Sequence, residues 1–528
     1  MPCATVRRAM DLLEAHDLRA LSDRLVAIPS ASPDPEGEAR VARALLEALP
    51  AGIERGEWPA ADGRPVAWAR LRGRSRRAVL LLGHTDTVGA AEFAALDGAR
   101  GAGLAFDPAA LRTRFLDPAF AAAAPGPVLA DLQEERLAPG TWVFGRGALD
   151  MKGGLAAAAG ALASLAASGP PPGDVLLVAC PDEEHESRGM LAAIERLAEL
   201  KERDGVSFAG AINLDYADEP AAFAGVSGKL LLGLYVLGEP THAAAPFAGV
   251  DAAQLAAALV TRLTTAESMV DVWRERRGVP PVALRVRDLK PVYNLQTAVE
   301  AVAELNIVML DRPLDETLER AVAECEAAAS DLLAAMRTLA RHGGWNGPGP
   351  ALPEGAVMTY GELVDRAREA AAGALTAPAG ESDARALALE RVRRLARAAR
   401  LRGPAVVLYL VPPFYPAAAP GAGPLVRAAR AVLGAAGVPV RDYYPSVSDS
   451  AYLAWRSDAA NALAAHVPVW EREYRLPVGT MRALDLDVVN LGPWGRDAHG
   501  LFERVHAPWT FERLPQLVAD VTRAALEA

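Results

Sequence analysis

At 528 residues, with 51% hydrophobic and 23% charged side chains, the chain is too long for one core and too apolar to be mostly disordered; roughly 100–200 residues per domain implies two to four domains. Lys+Arg 55 against Asp+Glu 66 leaves a net charge of −11, which argues against a general nucleic-acid binder, because such a protein needs a basic footprint. The three scattered cysteines, Cys3, Cys180 and Cys325, cannot build a disulfide framework and fit a reducing compartment.

The N-terminal run MPCATVRRAMDLLEA lacks the apolar core of a signal peptide. The most membrane-like stretch, Gly153 to Gly169, falls short of the roughly 20 apolar residues of a span and reads as a close-packed interior helix. A cytoplasmic protein without membrane or nucleic-acid partners is expected. Along the chain, Glu38–Leu49 has helical spacing, and Ala78–Gly83 is a short continuous apolar run, as in a strand buried on both faces. Helix 155–167, strand 174–180, helix 187–201 and strand 209–215 follow. This alternation predicts a mostly parallel α/β sheet flanked by helices, whose ligands sit at the carboxyl ends of the strands. Strands 229–238 and 306–310 with helices 251–265 and 316–339 predict a smaller α+β domain. His342–Pro353 is Gly/Pro-rich and reads as a loop, followed by Ala/Arg-rich helix to about Arg402. Strand 405–411 returns the chain to helix 425–436, strand 487–491 and a last helix near 511–528. The domain reading is therefore a catalytic domain in two parts, 1–225 and 416–528, with an inserted domain at 226–415.

The polar residues that carry chemistry lie at these strand ends. In Gly83-His84-Thr85-Asp86, His and Asp two apart on extended backbone point to the same side; alone, a loop histidine beside an unrelated Asp explains the pair better. In Gly145–Gly154, glycines surround Asp150 before a helix, so close backbone approach is possible and both carboxylate oxygens can serve a cation. The alternative is an anion-binding turn, although neither phosphate-loop glycine pattern is present. Pro181-Asp182-Glu183-Glu184 places adjacent acids at a buried strand end, where a cation relieves their repulsion; an acidic helix N-terminus is the bland reading. Asp215 ends the next strand as ligand or as turn residue, and His499 follows the strand 487–491, with His506 as its competitor. A His/Asp/Glu set without cysteine suits Zn²⁺, Mn²⁺ or Co²⁺.

The ordered runs GHTDTV, GRGALDMKGG, PDEE, NLD and AHGLFE resemble the co-catalytic zinc hydrolases that include aminoacylase, acetylornithine deacetylase, succinyl-diaminopimelate desuccinylase and related di- and carboxypeptidases. The resemblance includes the inserted lid domain and the VSDSAYL run, and the greater length and the lid insertions resemble most the arginine-utilisation branch. The resemblance implies two divalent cations, Zn²⁺ first and Co²⁺ or Mn²⁺ next. It implies that Asp150 bridges them, that His84 and Asp215 complete one site, and that Glu184 and His499 complete the other. Glu183 becomes the general base, Asp86 orients His84, and the peptide after Asp150 is expected to be cis. The run Gly238–Ala243 implies that His242 donates to the substrate carbonyl, and Asn294 and Arg312 stand where lid residues grip a substrate carboxylate. The expected reaction is hydrolysis of a peptide or N-acyl amino acid, in amino-acid or arginine catabolism, by a homodimer formed through a lid/dimerisation domain. The stretch 90–140 is expected to form loops over the site. A catalytically inactive family member acting as a binding or regulatory protein is the competing reading.

Overall fold

The computed structural model describes residues 14–97, 101–347, 349–368 and 383–528. Cys3, the N-terminal run and part of the Ala/Arg-rich stretch lie outside them. The chain divides into two compact units: Met1–Val226 with Ala419–Trp455 and Gly479–Ala528, and Ser227–Ala418 with Arg456–Val478.

The first unit is built on an eight-stranded sheet. From edge to edge its strands are Glu54–Pro59, Pro65–Leu71, Asp174–Cys180, Arg77–His84, Ser207–Asn213, Val488–Asn490, Ala222–Val226 and Val440–Tyr444. The four strands from Asp174–Cys180 to Val488–Asn490 run parallel. Their continuous apolar sequences follow from burial on both faces: every residue of Asp174–Cys180 is buried. Helices Ala15–Val26, Gly153–Ala167, Pro424–Ala435 and Leu514–Glu527 pack on one another in the main core. Gly154 is where the helix meets the sheet most closely; a Cβ there would lie 2.2 Å from the Leu214 carbonyl oxygen.

Two features differ from the sequence reading. The first is the antiparallel hairpin Glu54–Leu71, whose charged and half-exposed outer strand hides its periodicity. The second corrects the expectation of loops at 90–140: the segment holds helices Pro108–Phe115, Pro118–Ala122 and Gly126–Leu137. Asp107 and Asp117 precede prolines and cap the first two of these helices, accepting from Ala110 N at 2.9 Å and Ala119 N at 3.0 Å. The segment buries Phe93, Leu111, Phe115 and Leu132 in a cluster with Trp142 and Phe144.

The second unit carries a five-stranded sheet ordered Val282–Asp288, Glu300–Met309, Gly228–Leu237, Ala405–Tyr415 and Val357–Thr359, antiparallel except for the last pair. Its helices include Ala252–Thr265, Leu314–His342 and Ala384–Ala398. Strand Val282–Asp288 is an edge and is exposed along its whole length. No described helix is long and apolar enough to cross a membrane.

Candidate metal centre

Register alone brings the chemistry-bearing loops to one rim of the first unit. His84 pairs with Cys180, Leu82 with Asn213, and Asn213 with Asn490. The segments that follow these parallel strands therefore leave the sheet at one end, carrying His84, Glu183 and Glu184, Asp215, and His499. Asp150 arrives from the glycine loop before helix Gly153–Ala167, where Gly147 has φ +82° and the Asp150–Met151 peptide is cis, as the resemblance implied.

Asp150 lies at the centre of the cluster. Its Oδ1 is 3.1 Å from His84 Nε2 and its Oδ2 is 3.0 Å from His499 Nε2. His499 Nε2 is also 3.1 Å from Glu184 Oε1. Among the described residues, three overlapping groups have donor atoms close enough to share a cation: His84 with Asp150 and Asp215, Asp150 with Glu184 and His499, and His84 with Glu183 and Glu184. His84, Asp150 and Asp215 are buried, Glu183 and Glu184 half-buried, and His499 exposed.

The electrostatics are those of crowded acids. Burial pushes Asp215 up to about 8, with the Asp150 charge adding to it. Burial raises Glu183 well above the usual range and raises Glu184 too, again with Asp150 adding. Burial also works to raise Asp150, but hydrogen bonds with His499 and His84 hold it below the carboxylate range. Burial opposes charge on both imidazoles, yet the Asp150 carboxylate lifts His84 well up and His499 to about 11. Four carboxylates thus face two imidazoles in a largely water-poor site. Divalent cations satisfy that donor set, and all-N/O ligands without thiolate suit Zn²⁺, Mn²⁺ or Co²⁺.

Asp86 faces His84 with two of its oxygens. The carbonyl oxygen of Asp86, at 3.0 Å, faces His84 Nδ1, whereas its Oδ1 is 3.5 Å away. A carbonyl can only accept, so Nδ1 carries a proton, and Nε2 is the nitrogen left to bind a cation. The Asp86 carboxylate also accepts the backbone N–H groups of Glu183 at 3.1 Å and Glu184 at 3.0 Å. Sequence reasoning gave no role to two further acids. Glu503 accepts the Gly147 N–H at 2.8 Å, and the Asp449 N–H donates to Glu183 Oε1 at 3.3 Å. The one signal for each was position: Glu503 follows His499 by a helical turn, and Asp449 lies in the VSDSAYL run. His506, the competitor of His499, packs at a tilt against Trp494 with centroids 4.3 Å apart and joins none of the ligand groups.

The lid candidates belong to the second unit. Ala243 N donates to Leu295 O at 2.8 Å, so the segments bearing His242 and Asn294 run side by side, both residues exposed. Arg312 lies at the other end of the same sheet. Glu300 pairs with Leu237 and Met309 with Gly228, and a ten-residue strand spans roughly 30 Å. The Arg312 guanidinium donates to Val270 O at 2.6 Å.

A family model for peptidase family M20/M25/M40 matches residues 133–465. The chain is 31% identical over 496 residues to the uncharacterized protein YqjN of Bacillus subtilis (strain 168), covering 89% of this chain and 88% of that one. It is 27% identical over 497 residues to the protein RocB of the same organism, covering 88% and 84%. Among solved structures, a tripeptidase from Staphylococcus aureus superposes with a TM-score of 0.52 at 15% identity, over 98% of this chain and all of the other, a likeness of fold.

Proposed function

The chain belongs to peptidase family M20/M25/M40 and is a metal-dependent hydrolase; from that premise we propose that it cleaves the amide bond of a small peptide or N-acyl amino acid. The observation that carries the reading is Asp150, which turns one carboxylate oxygen toward each of two histidine-containing groups. In this reading His84, Asp150 and Asp215 hold one divalent cation, and Asp150, Glu184 and His499 hold the other, with Zn²⁺ the first candidate and Co²⁺ or Mn²⁺ the next. Bound there, two cations would supply Lewis-acid polarisation of the scissile carbonyl and acidify water.

The chain's own residues do the rest. Glu183 is held by Asp86 at its backbone and by the Asp449 N–H at its carboxylate. It takes a proton from the attacking water and returns it to the leaving amine, acting as base and then acid. His242, with Asn294 on the adjacent segment, is the second unit's candidate donor to a substrate oxygen. Arg312, roughly 30 Å along the sheet, does not share one small ligand with that pair within a single chain. The second unit acts as lid and dimerisation domain, and strand Val282–Asp288 pairs with that of a second copy. A place in amino-acid catabolism, arginine included, extends the reading through the resemblance to the arginine-utilisation branch.

A screen of dipeptides and N-acyl amino acids with added Zn²⁺, Mn²⁺ or Co²⁺ tests the proposal. Turnover is expected in the wild type, and Glu183→Gln is expected to retain its cations while losing at least about 100-fold in kcat, the lower part of the range for a lost general base. Unchanged turnover in Glu183→Gln removes Glu183 from the mechanism.

A further inference from the structure

Arg146 and Glu503 belong to none of the ligand groups, yet both are buried at 1% exposure beside them. One oxygen of Glu503, Oε1, accepts three backbone N–H groups of the glycine loop: Gly147 at 2.8 Å, Leu149 at 3.2 Å and Asp150 at 3.3 Å. Its other oxygen accepts from Arg146 Nη1. Arg146 then distributes its remaining donors. Nε reaches Gly89 O at 3.1 Å, Nη2 reaches His499 O at 3.2 Å and also Glu92, and the backbone N–H reaches Ala105 O at 2.8 Å. The pair therefore ties together the segment after Asp86, the glycine loop, the His499 loop and the helical segment inserted at 90–140. The backbone of Asp150 and that of His499 are fixed by one ion pair although they lie far apart in sequence.

The other ligands are anchored independently. His84 ends a central strand and rests on the Asp86 carbonyl. Asp215 accepts from Tyr216 N at 2.8 Å, and its carbonyl accepts from Asn490 Nδ2 at 2.9 Å. We infer that Arg146 and Glu503 are a positioning pair for the cation site formed by Asp150, Glu184 and His499, with the inserted segment serving as the brace that holds Arg146. The inference rests on the two-cation reading. Arg146 is suited to the task because its planar fork reaches several acceptors at once, which a lysine ammonium on a single stem does not.

The test is a titration of the chelator-stripped full-length protein with Zn²⁺ against a chromogenic competitor, giving stoichiometry and two affinities. Wild type, Arg146→Lys, Glu503→Gln, Glu503→Ala and His499→Ala are compared, with Arg146→Lys also built on His499→Ala. Two sites are expected in the wild type. Arg146→Lys, which loosens the His499 loop, is expected to weaken one site by about 10–100-fold, the range for lost supporting contacts to ligands, while the other stays within about 2-fold; Glu503→Gln, which also loosens the shared Asp150, is expected to weaken that site at least as much. On the His499→Ala background Arg146→Lys is expected to add nothing, which identifies the affected site. Circular dichroism and the thermal midpoint of the stripped proteins check the fold; should Glu503→Ala not fold, the near-isosteric Gln and the Lys variant carry the result. Equal loss at both sites in Arg146→Lys, or no loss in either Arg146→Lys or Glu503→Gln, in variants that fold like the wild type overturns the pair's role and leaves the two-cation reading intact. A wild type that binds no second Zn²⁺ overturns both.

Discussion

Asp86 follows His84 by two residues, and spacing alone directs its carboxylate at the imidazole. In the fold the backbone carbonyl is the nearer partner, at 3.0 Å against 3.5 Å for the carboxylate, and the carboxylate, fully buried, accepts the Glu183 and Glu184 amides as well. Asp86→Asn puts an N–H against at least one of those amides. It is expected to lower turnover or cation affinity by about 10–100-fold, the cost of losing support behind ligands; steady-state kinetics and competitive chelation measure it, and wild-type values in both would show the contact to be dispensable. His84, Asp150, Glu183, Glu184, Asp215 and His499 were legible in the sequence because each sits just beyond an apolar strand or just before an apolar helix. Glu503 and Arg146 were not, because their roles come from backbone groups hundreds of positions away, and a local pattern carries no trace of such a partner.

Among elements, the buried ones announced themselves and the exposed ones did not. Strand Asp174–Cys180 has the bounds its apolar run predicts, since burial on both faces leaves no room for polar interruption. The hairpin Glu54–Leu71 and the strand Val282–Asp288 mix arginines with valines and leucines, and their pairing is set by neighbours that the local sequence does not name. Arg312 shows the same limit: its place in the chain gave no sign that the sheet carries it roughly 30 Å from His242. The edge strand also exposes Val282, Leu284 and Val286, residues of one parity, at 51%, 59% and 47%. An apolar, unpaired edge of this kind is an invitation to another strand. For the proposed dimer, Leu284→Lys is expected to give a monomer in analytical ultracentrifugation while leaving the thermal midpoint of the monomer within about 1–2 °C, because an exposed side chain contributes little to its own fold. A dimer that survives the substitution, or a wild-type monomer, would remove this edge as the interface.

For the molecule as a whole, the acids of the centre couple stability to pH. Burial pushes Asp215 up to about 8 and Asp449 and Glu503 up to about 7. Each binds a proton in the fold that it would lack in the unfolded chain between about pH 5 and 7. Stability stored in such groups is complete below the unfolded carboxylate range and is lost as pH rises through the folded values. The lifted imidazoles of His84 and His499 act in the same direction above pH 6.5. Chelator-treated protein is therefore expected to lose thermal stability from pH 5 to 7. Cations replace those protons and bind better as they leave, so the rise in melting temperature on adding Zn²⁺ is expected to grow across the same interval. A constant increment would break the link between these carboxylates and the cations. The strand order carries one more consequence, for biogenesis. Val488–Asn490 lies between Ser207–Asn213 and Ala222–Val226, both made far earlier. A growing polypeptide must therefore keep a vacant slot in its central layer until the ribosome has passed Asn490. The segment that fills the slot leads directly to His499, so a prematurely terminated product is left with an open edge and without its last imidazole ligand, a target for quality control rather than a half-working hydrolase.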